Sequence, residues 1–338
     1  MIALADYMQP SIRHYFYSRQ LEQPTKFVDF FCGFGGASVG AAAAGLDVVL
    51  AVDSSPTALE IHKLNHPRAK HACIELPSDE NLQLPAADAP WHLHGSPPCT
   101  SVSAANQIRN IEDRGISVKT VEWFIEYAVK STAVTWSLEQ VAMPPIMACM
   151  SNLKQKLSRN KFDYEVFDFS QLGVPQKRRR LIAGSPEIVT KLRRTPVLRR
   201  SVRDVIERPR GTHIRNNKTQ SQVGPAIIID GKRKIQYIPK TKDECCVPIT
   251  GPSHCAVASY PLRWATPNSE KRVKLRCLNV DETLRLQCFP PDYVLPRKKV
   301  DCYRGIGNAL PPTIMQQMLT PEPKHLAAKC ALTHNKQT

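Results

Sequence analysis

The fold is decided by one stretch of the sequence, Lys26-Phe27-Val28-Asp29-Phe30-Phe31-Cys32-Gly33-Phe34-Gly35-Gly36. A short run of apolar β-formers ends there in a Gly-rich turn, and an Ala-rich helical pattern follows as far as Ala44. Residues 48–52 predict a second strand, which ends on Asp53. This order of strand, turn, helix and strand is typical of a doubly wound, mostly parallel α/β sheet.

The alternation continues outward from this stretch. It predicts, in order, a helix from Pro56 to residue 64, a strand at 91–94, a helix at 121–130 and a strand at 133–138 that ends on Glu139. The pattern breaks after about residue 184, and helical periodicity returns at 280–288 and 311–319. We therefore expect a first domain part over 1–188, a smaller inserted domain over 189–273, a return to the first domain over 274–320 and a disordered tail over 321–338.

Composition and charge limit the class of protein. The chain has 338 residues, of which 42% are hydrophobic, so it can bury a sizeable core. No apolar run reaches the roughly 18 residues that span a bilayer, and the first 20 residues lack the apolar core of a signal peptide. Residues 151–242 carry 23 Lys and Arg against 7 Asp and Glu, which equals the whole net charge of +16. We expect an intracellular protein without a membrane segment, and a polyanionic partner.

The cysteines predict neither a disulfide scaffold nor a metal centre. The 11 cysteines are scattered, and no CxxC pair occurs among them. Cys245, Cys246, His254 and Cys255 form the one cluster that resembles a zinc site, but adjacent ligands at this spacing are uncommon. We expect no metal.

The Gly-rich turn and Asp53 predict a cofactor site. Glycines between a strand and a helix let backbone N–H groups approach a ligand closely. An acid at the end of the next strand is where such folds bind ribose hydroxyls. A merely structural turn would explain the glycines alone, but both features together favour a cofactor that contains adenosine.

A candidate nucleophile follows the strand at 91–94. It is Cys99, in the segment Gly95-Ser96-Pro97-Pro98-Cys99-Thr100-Ser101-Val102-Ser103. A lone cysteine is more often a small buried hydrophobe. A rigid Pro-Pro turn can instead expose a thiol, which suits addition to a poor electrophile such as a pyrimidine ring.

Two further segments supply candidate polar groups. Glu139 ends an apolar strand, where a salt bridge or a helix cap is the structural alternative to a catalytic role. The run from Gln176 to Arg180 leads into a buried strand, so Arg178 and Arg180 should point the same way. Two guanidinium groups on one face could hold a carbonyl oxygen or a phosphate.

Read in order, these segments resemble the DNA (cytosine-5) methyltransferase family over roughly residues 25 to 319. The matching motifs are Asp29 to Gly36, Asp53, Pro98-Cys99, Glu139-Gln140-Val141, Gln176 to Arg180, Arg276 to Tyr293 and Arg304-Gly305-Ile306-Gly307-Asn308-Ala309. The resemblance implies an S-adenosylmethionine-dependent methyltransferase of the Rossmann-like type. It also implies that residues 189–273 form the target-recognition domain.

The resemblance assigns the chemistry residue by residue. Cys99 is implied to attack carbon 6 of a flipped cytosine, and Glu139 to hold ring nitrogen 3 and the exocyclic amine. Arg178 is implied to pair with the carbonyl oxygen of the base, with Arg180 beside it. The residues implied to bind S-adenosylmethionine are Phe31, Gly33, Gly35, Gly36, Asp53, Ser54, Ile74, Pro97, Asn308 and Ala309. Those expected to contact double-stranded DNA are Thr100, Ser103, Gln176, Arg215, Lys218, Arg233 and Arg263.

Three positions depart from the family pattern. Thr100 replaces the usual Gln after the cysteine, and an effect on loop closure is expected there. Gln140 replaces the Asn of Glu-Asn-Val, and its longer amide should support the neighbouring backbone differently. Cys73 stands about where the family often has an acid that contacts the adenine amino group.

Alternative functions remain open from the sequence. They are a tRNA cytosine-5 methyltransferase, a catalytically silent DNA-binding regulator and an NAD-dependent dehydrogenase. The Cys-Phe-Thr signature of the tRNA branch is absent, a silent regulator would generally lose the nucleophile or the glycines, and a dehydrogenase leaves Pro98-Cys99 without purpose. We expect a monomer that acts where the DNA is, in a prokaryotic cytoplasm or a nucleus, and that could be paired with a restriction endonuclease. The target sequence is not readable.

Overall fold

The computed structural model describes residues 24–98, 111–157, 161–206, 213–216, 226–229, 232–235, 262–265 and 278–321. A seven-stranded sheet forms its centre. The strands are β1 Lys26–Phe30, β2 Asp47–Asp53, β3 Lys70–Cys73, β4 Trp91–Gly95, β5 Thr135–Gln140, β6 Asp163–Asp168 and β7 Arg179–Gly184. Their order is β3-β2-β1-β4-β5-β7-β6; β1 to β5 are parallel, and β7 is antiparallel to both of its neighbours.

Eight α-helices are present in the described part of the chain. They are α1 Gly36–Ala43, α2 Pro56–Asn65, α3 Ile111–Lys130, α4 Pro144–Lys156, α5 Pro186–Arg194, α6 Val280–Leu286, α7 Lys299–Asn308 and α8 Pro312–Leu319. The predicted alternation of strands and helices is confirmed, although α3 is longer than its pattern indicated. The sequence reasoning did not predict β3, β6, α4, α5 or α7.

Apolar side chains cover both faces of the sheet. Val28 and Phe30 of β1 belong to a core that α3 and α4 complete with residues such as Phe124 and Ile146. Phe27, which precedes Val28 in sequence, points to the other face and packs in a core completed by α1, α5 and α8. Because successive strand residues face opposite sides, this pattern requires helices on both faces. The doubly wound fold is therefore confirmed.

Two glycines let the last helix pack against the first. A Cβ on Gly36 would lie 2.2 Å from the carbonyl oxygen of Leu310, and one on Gly40 would lie 2.2 Å from that of Pro312. Backbone approaches backbone at both points, which only glycine permits. The chain segment around α7 and α8 thus returns to the turn after β1.

Four short strands lie between α5 and α6 in sequence. They are β8 His213–Asn216, β9 Ala226–Ile229, β10 Lys232–Ile235 and β11 Leu262–Ala265. β9 pairs antiparallel with β10, and Asp230 and Gly231 between them in sequence lie outside the described residues. β8 pairs antiparallel with β11.

Candidate active site

A cavity of about 750 Å³ opens at the edge of the sheet where the parallel strands end. The segments that follow β1, β2, β4 and β5 line one side of it, and residues 301–310 close the other. Strand ends of this kind, at the point where the strand order reverses, are where doubly wound sheets bind ligands. The volume is within the range of sites for cofactors and drug-sized ligands.

The turn after β1 forms the floor of the cavity. Phe31, Gly33 and Gly35 have φ angles of 57°, 52° and 81°, so the chain turns through the left-handed region three times in five residues. Phe31, Gly33 and Gly36 line the cavity, whereas Gly35 precedes α1 and does not. A side chain other than hydrogen at Gly36 would meet the backbone of Leu310, so the turn and the return segment touch directly.

Asp53 is fixed by backbone amides. Its Oδ2 accepts a hydrogen bond from the amide of Gly33 at 2.8 Å, and its Oδ1 accepts one from the amide of Ser55 at 2.8 Å. Each carboxylate oxygen can accept a second bond, so the group can still receive two neighbouring hydroxyls. Its place beside the Gly-rich turn is the one predicted from the sequence spacing.

Asp29, which was not predicted as a site residue, also lines the cavity. The Ser38 hydroxyl donates a hydrogen bond to Asp29 Oδ2 at 2.6 Å. The same oxygen, Ser38 Oγ, lies 3.0 Å from His62 Nε2. On the other side of that ring, His62 Nδ1 lies 2.9 Å from His71 Nε2. Burial raises the pKa of Asp29 to about 7, and the nearby charge of Asp53 adds to this. The chain of hydrogen bonds leads from the cavity to His71, which is partly exposed.

Glu139 and Arg180 form an ion pair in the cavity wall. Arg180 Nε lies 2.9 Å from Glu139 Oε1, and the two side chains are 14% and 8% exposed. The contact lacks hydrogen-bond geometry, so Oε1 has no hydrogen-bond partner although it is buried. A buried carboxylate oxygen with unused acceptor capacity is suited to a ligand donor.

Arg178 and Gln176 form hydrogen bonds with the backbone of other parts of the protein. Arg178 lines the cavity, but its Nη1 and Nη2 donate to the carbonyls of Gly307 and Ala309, each at 3.2 Å, and the residue is 1% exposed. Gln176 is fully buried and donates to the carbonyl of Leu286, at the end of α6, at 3.0 Å. Arg178 therefore ties the Arg-rich segment to the return segment, and Gln176 ties it to α6.

Gln140 supports the segment that leads to Cys99. Its Nε2 donates to the carbonyl of Pro97 at 3.0 Å, and its Oε1 accepts from the amide of Val141 at 2.7 Å. The residue is buried, so both bonds are shielded from water. The longer amide at this position therefore connects β5 to the Pro-Pro turn.

Most of the predicted cofactor residues meet at the cavity. Those that line it are Phe31, Gly33, Gly36, Asp53, Ser54, Ile74, Pro97, Asn308 and Ala309, together with the predicted catalytic residues Glu139, Arg178 and Arg180. Cys99, Thr100, Ser103 and Lys218 lie outside the described residues, as does the Cys245, Cys246, His254 and Cys255 cluster. Cys73 is exposed and not part of the lining, whereas Glu75, two positions later, is.

Arg215 and Arg263 are brought together by strand pairing. They lie on β8 and β11 and are directly opposite each other in the antiparallel register. Arg233 lies on β10, opposite Ile228. No sequence signal could place Arg215 next to Arg263, because their separation along the chain is large.

Ser96 is a further cavity residue that the sequence reasoning did not single out. It follows β4, and its amide donates to the carbonyl of Phe30 at 3.2 Å. The two histidines before it in sequence, His92 and His94, form hydrogen bonds inside the sheet. The WHLHG pattern of β4 gave no sign of this arrangement.

The sheet order, the Gly-rich turn and the acid that ends β2 are those of a Rossmann-like fold with a cofactor site, the class that includes S-adenosylmethionine-dependent methyltransferases. The family model of C-5 cytosine-specific DNA methylases matches residues 25–321, and the chain belongs to that family. It is a DNA cytosine methyltransferase.

Similar proteins cover most of the chain. The Type II methyltransferase M.HindV of Haemophilus influenzae is 25% identical over 313 residues, which is 85% of this chain and 92% of the relative. The Type II methyltransferase M.HgiDI of Herpetosiphon aurantiacus is 24% identical and covers 85% of this chain and 90% of its own. A structure of a putative DNA modification methyltransferase encoded within an E. coli prophage has a TM-score of 0.58 at 18% identity and covers 88% of this chain and 97% of its own. The S. pombe Dnmt2 methyltransferase has a TM-score of 0.55 at 16% identity, with coverages of 88% and 97%.

None of the helices that the structure describes is long and apolar enough to cross a membrane. No group of three or more potential metal ligands occurs among the described side chains.

Proposed function

We propose that the chain methylates carbon 5 of cytosine within a specific sequence of duplex DNA, through a covalent adduct between Cys99 and carbon 6. The Glu139–Arg180 pair carries this proposal, because it lies in the same cavity as the Gly-rich turn and Asp53. A carboxylate and a guanidinium side by side match the edge of a cytosine, which presents an amine, a ring nitrogen and a carbonyl oxygen. The cofactor part of the cavity adjoins this pair.

The donor set of the cavity fits S-adenosylmethionine. Asp53 offers carboxylate oxygens to ribose hydroxyls, Phe31 and Ile74 offer apolar surface to adenine, and the close contact at Gly36 leaves no room for a side chain. Asn308 and Ala309 close the cavity from the return segment. When bound, S-adenosylmethionine supplies an electrophilic methyl group.

The base-holding role falls to Glu139 and Arg180 together. Arg180 is already beside the carboxylate, so its guanidinium is suited to the carbonyl oxygen of the base while Glu139 holds nitrogen 3 and the amine. Arg178 is suited to positioning, since its two terminal nitrogens bind backbone carbonyls of the return segment. This assignment moves the predicted oxygen contact from Arg178 to Arg180.

Cys99 makes and breaks the covalent bond. It follows Pro98, which lines the cavity, by one peptide bond. Addition of its thiolate to carbon 6 forms a carbon–sulfur bond and makes carbon 5 nucleophilic. S-adenosylmethionine, when bound, would supply the methyl group to carbon 5 and would leave as S-adenosylhomocysteine. Loss of the carbon-5 proton to solvent then restores the double bond and expels the thiolate. Glu139 favours the addition by keeping nitrogen 3 protonated.

Exposed basic residues are suited to hold the duplex. A cytosine must leave the stack to reach Glu139, at a cost of a few kcal/mol, and phosphate contacts offset that cost. Lys177 and Arg179 are exposed and alternate with the inward-facing Arg178 and Arg180. Arg215, opposite Arg263 in the β8–β11 pair, gives a two-stranded element of the kind that can enter a groove.

We further propose that residues 189–273 form the target-recognition domain, between catalytic parts at 1–188 and 274–320. The antiparallel pairs β8–β11 and β9–β10 lie in this interval and take no part in the seven-stranded sheet, which supports the division. We also propose that the enzyme is a monomer. We propose in addition that it is paired with a restriction endonuclease, because its relatives M.HindV and M.HgiDI are Type II methyltransferases.

The test is expression in a host that lacks cytosine methylation, followed by mapping of 5-methylcytosine in its DNA and tRNA. We expect marks in one recurring DNA context, which disappear in C99S. C73S is the matched control, because Cys73 is exposed and does not line the cavity. Its methylation should equal that of the unmodified protein.

Other outcomes contradict the proposal. Marks in tRNA alone, or no marks at all, exclude a DNA target, and marks that persist in C99S exclude Cys99 as the nucleophile. Methylation without a recurring context excludes sequence-specific recognition. R215A and R263A separate direct base contacts, which relax the context at one position, from phosphate contacts, which weaken binding uniformly.

A further inference from the structure

A column of polar side chains runs through the sheet between β4 and β5 and ends at the cavity. His92 lies between Thr135 and Ser137, and His94 lies between Ser137 and Ser96. The four distances are 2.8 Å for His92 Nδ1 to Thr135 Oγ1, 2.8 Å for His92 Nε2 to Ser137 Oγ, 2.8 Å for His94 Nδ1 to Ser137 Oγ and 2.9 Å for His94 Nε2 to Ser96 Oγ. Only the Ser96 end reaches the cavity.

Both histidines are neutral. They are fully buried, and Phe27 stacks on the two rings with centroid distances of 5.7 and 6.3 Å. Burial lowers the pKa of His94 to about 3 and that of His92 well below its ordinary value. A buried polar network of this kind adds little stability over apolar side chains, but it fixes geometry when every group is satisfied.

The four hydrogen bonds of the column must all run in the same donor-to-acceptor direction. A neutral imidazole has one N–H donor and one acceptor nitrogen, and Ser137 has one proton to give although it contacts both rings. If Ser137 donates to one ring it must accept from the other, so all four hydrogen bonds point the same way along the column. In either direction His94 and Ser96 remain hydrogen-bonded.

Ser96 lies between the proposed cofactor site and the residue proposed to hold the base, Glu139. In the sheet, β4 lies between β1, whose end forms the cofactor turn, and β5, whose end carries Glu139. The Ser96 amide is bonded to Phe30, and the next carbonyl, that of Pro97, is held by Gln140. The backbone that enters Pro97-Pro98-Cys99 is therefore fixed on two sides, and the Ser96 side chain supplies a third point through His94.

We propose that Ser96, held by His94, is a positioning residue that sets the entry of the Cys99 segment into the cavity. This rests on the proposed role of Cys99 as the nucleophile. Loss of the hydroxyl frees the side-chain anchor while the backbone bonds stay, so Cys99 should reach carbon 6 less often. Cofactor binding should not change, since Asp53 and the Gly-rich turn are untouched.

The proposal is tested by exchange of the cytosine carbon-5 hydrogen with solvent in the absence of cofactor, which reports addition of Cys99 alone. In S96A, exchange and methyl transfer at saturating DNA should fall by the same factor, about tenfold or more. The dissociation constant of S-adenosylhomocysteine should stay within about twofold, a change of roughly 0.4 kcal/mol or less.

T135V is the matched control. It removes a buried hydroxyl from the same column, and Thr135 does not line the cavity. With Val there, His92 Nδ1 becomes an acceptor without a donor, and the column takes the direction in which His94 Nε2–H donates to Ser96. The anchor survives, so T135V should lose stability without a comparable loss of exchange.

Three results would overturn the proposal. Equal losses of exchange in S96A and T135V would mean that activity follows stability alone. Normal exchange in S96A with weaker S-adenosylhomocysteine binding would make Ser96 a cofactor contact. Unchanged exchange and binding would leave it without a role. Failure of the proposed function differs from all three, because the unmodified protein would then show no exchange that C99S removes.

Discussion

The carboxylate of Glu139 and the guanidinium of Arg180 lie 2.9 Å apart because one strand of the sheet is reversed. Glu139 is near the end of β5, and Arg180 is near the beginning of β7. Since β7 runs antiparallel to β5, its first residues reach the edge at which the parallel strands finish. The reversed strand thus brings a cation to the end of a sheet that already holds the acid.

E139Q should nearly abolish methyl transfer without loss of the fold. The amide keeps the shape of the side chain but loses the charge and the proton-transfer capacity, for which a loss of roughly 10²- to 10⁴-fold is typical. Arg180 then stays buried beside a neutral group, so the free energy of unfolding should also fall. Single-turnover methylation and urea denaturation measure the two effects.

The double variant E139Q/R180M separates the electrostatic partner effect from the chemistry. Removing both charges should recover part of the lost stability, because no unpaired buried charge remains. Activity should stay low. Recovery of methylation in the double variant would show that Glu139 acts only as a partner for Arg180.

R178M should destabilise the protein and weaken cofactor binding together. The carbonyl of Gly307 loses its bond from Arg178 Nη1, while that of Ala309 loses Arg178 Nη2 and keeps its bond from Gln287 Nε2. A buried carbonyl left unsatisfied costs about 1–3 kcal/mol. The return segment that closes the cavity should loosen as a result. Urea denaturation and titration with S-adenosylhomocysteine measure the two losses, and stability that falls with unchanged binding would contradict the link.

G36A should reduce both cofactor affinity and stability. Its Cβ would lie 2.2 Å from the Leu310 carbonyl oxygen and 2.9 Å from the Ala309 Cβ, so α1 and the return segment must move apart. Overpacking of this kind typically costs about 1–3 kcal/mol. The control is A42S on the exposed side of the same helix, and equal melting temperatures for the two variants would count against the predicted clash.

Acid should destabilise the protein below pH 6.5 through its buried histidines. Burial lowers the pKa of His94 to about 3, that of His66 to about 4, and those of His62 and His92 as well, so the unfolded chain binds more protons between those values and 6.5. Stability must therefore be lost as the pH falls through that window.

Protonation of Asp29 has the opposite effect on the free energy of unfolding. Its pKa is raised to about 7, so its own contribution to stability falls as the pH rises from about 4 to 7. Four histidines outweigh one carboxyl, and the net free energy of unfolding should decrease from pH 6.5 to pH 4. Denaturant titrations at a series of pH values measure it, and a flat profile would mean that the histidines are not buried as neutral groups.

The sequence was sufficient to predict the sheet around the cavity. The Gly-rich turn, Asp53 and Glu139 each follow a strongly apolar strand, and ends of parallel strands meet at one edge. β6 was missed for a physical reason. In the sequence, Asp163 and Glu165 of β6 are typical of a solvated loop. In the structure, Arg193 of α5 forms ion pairs with both. A partner so distant in sequence leaves no local pattern.

The different contacts of Arg178 and Arg180 could not be predicted from the sequence either. Arg178 and Arg180 are more buried than Arg179 between them, as a period of two predicts, although all three line the cavity. Which of them meets Glu139 and which meets the Gly307 carbonyl depends on the positions of β5 and the return segment. Those positions follow from packing of the whole sheet, not from the segment itself.

The contact between Gly36 and the Leu310 carbonyl has a consequence for biosynthesis. The floor of the cofactor cavity is translated early, but the wall that closes it is translated about 270 residues later, since Leu310 follows Gly36 by 274 positions. A nascent chain that stops before α7 has the turn and Asp53 but lacks Asn308, Ala309 and the backbone that Arg178 holds. Cofactor can therefore stabilise only chains whose synthesis has passed Leu310, and shorter products gain no stability from it.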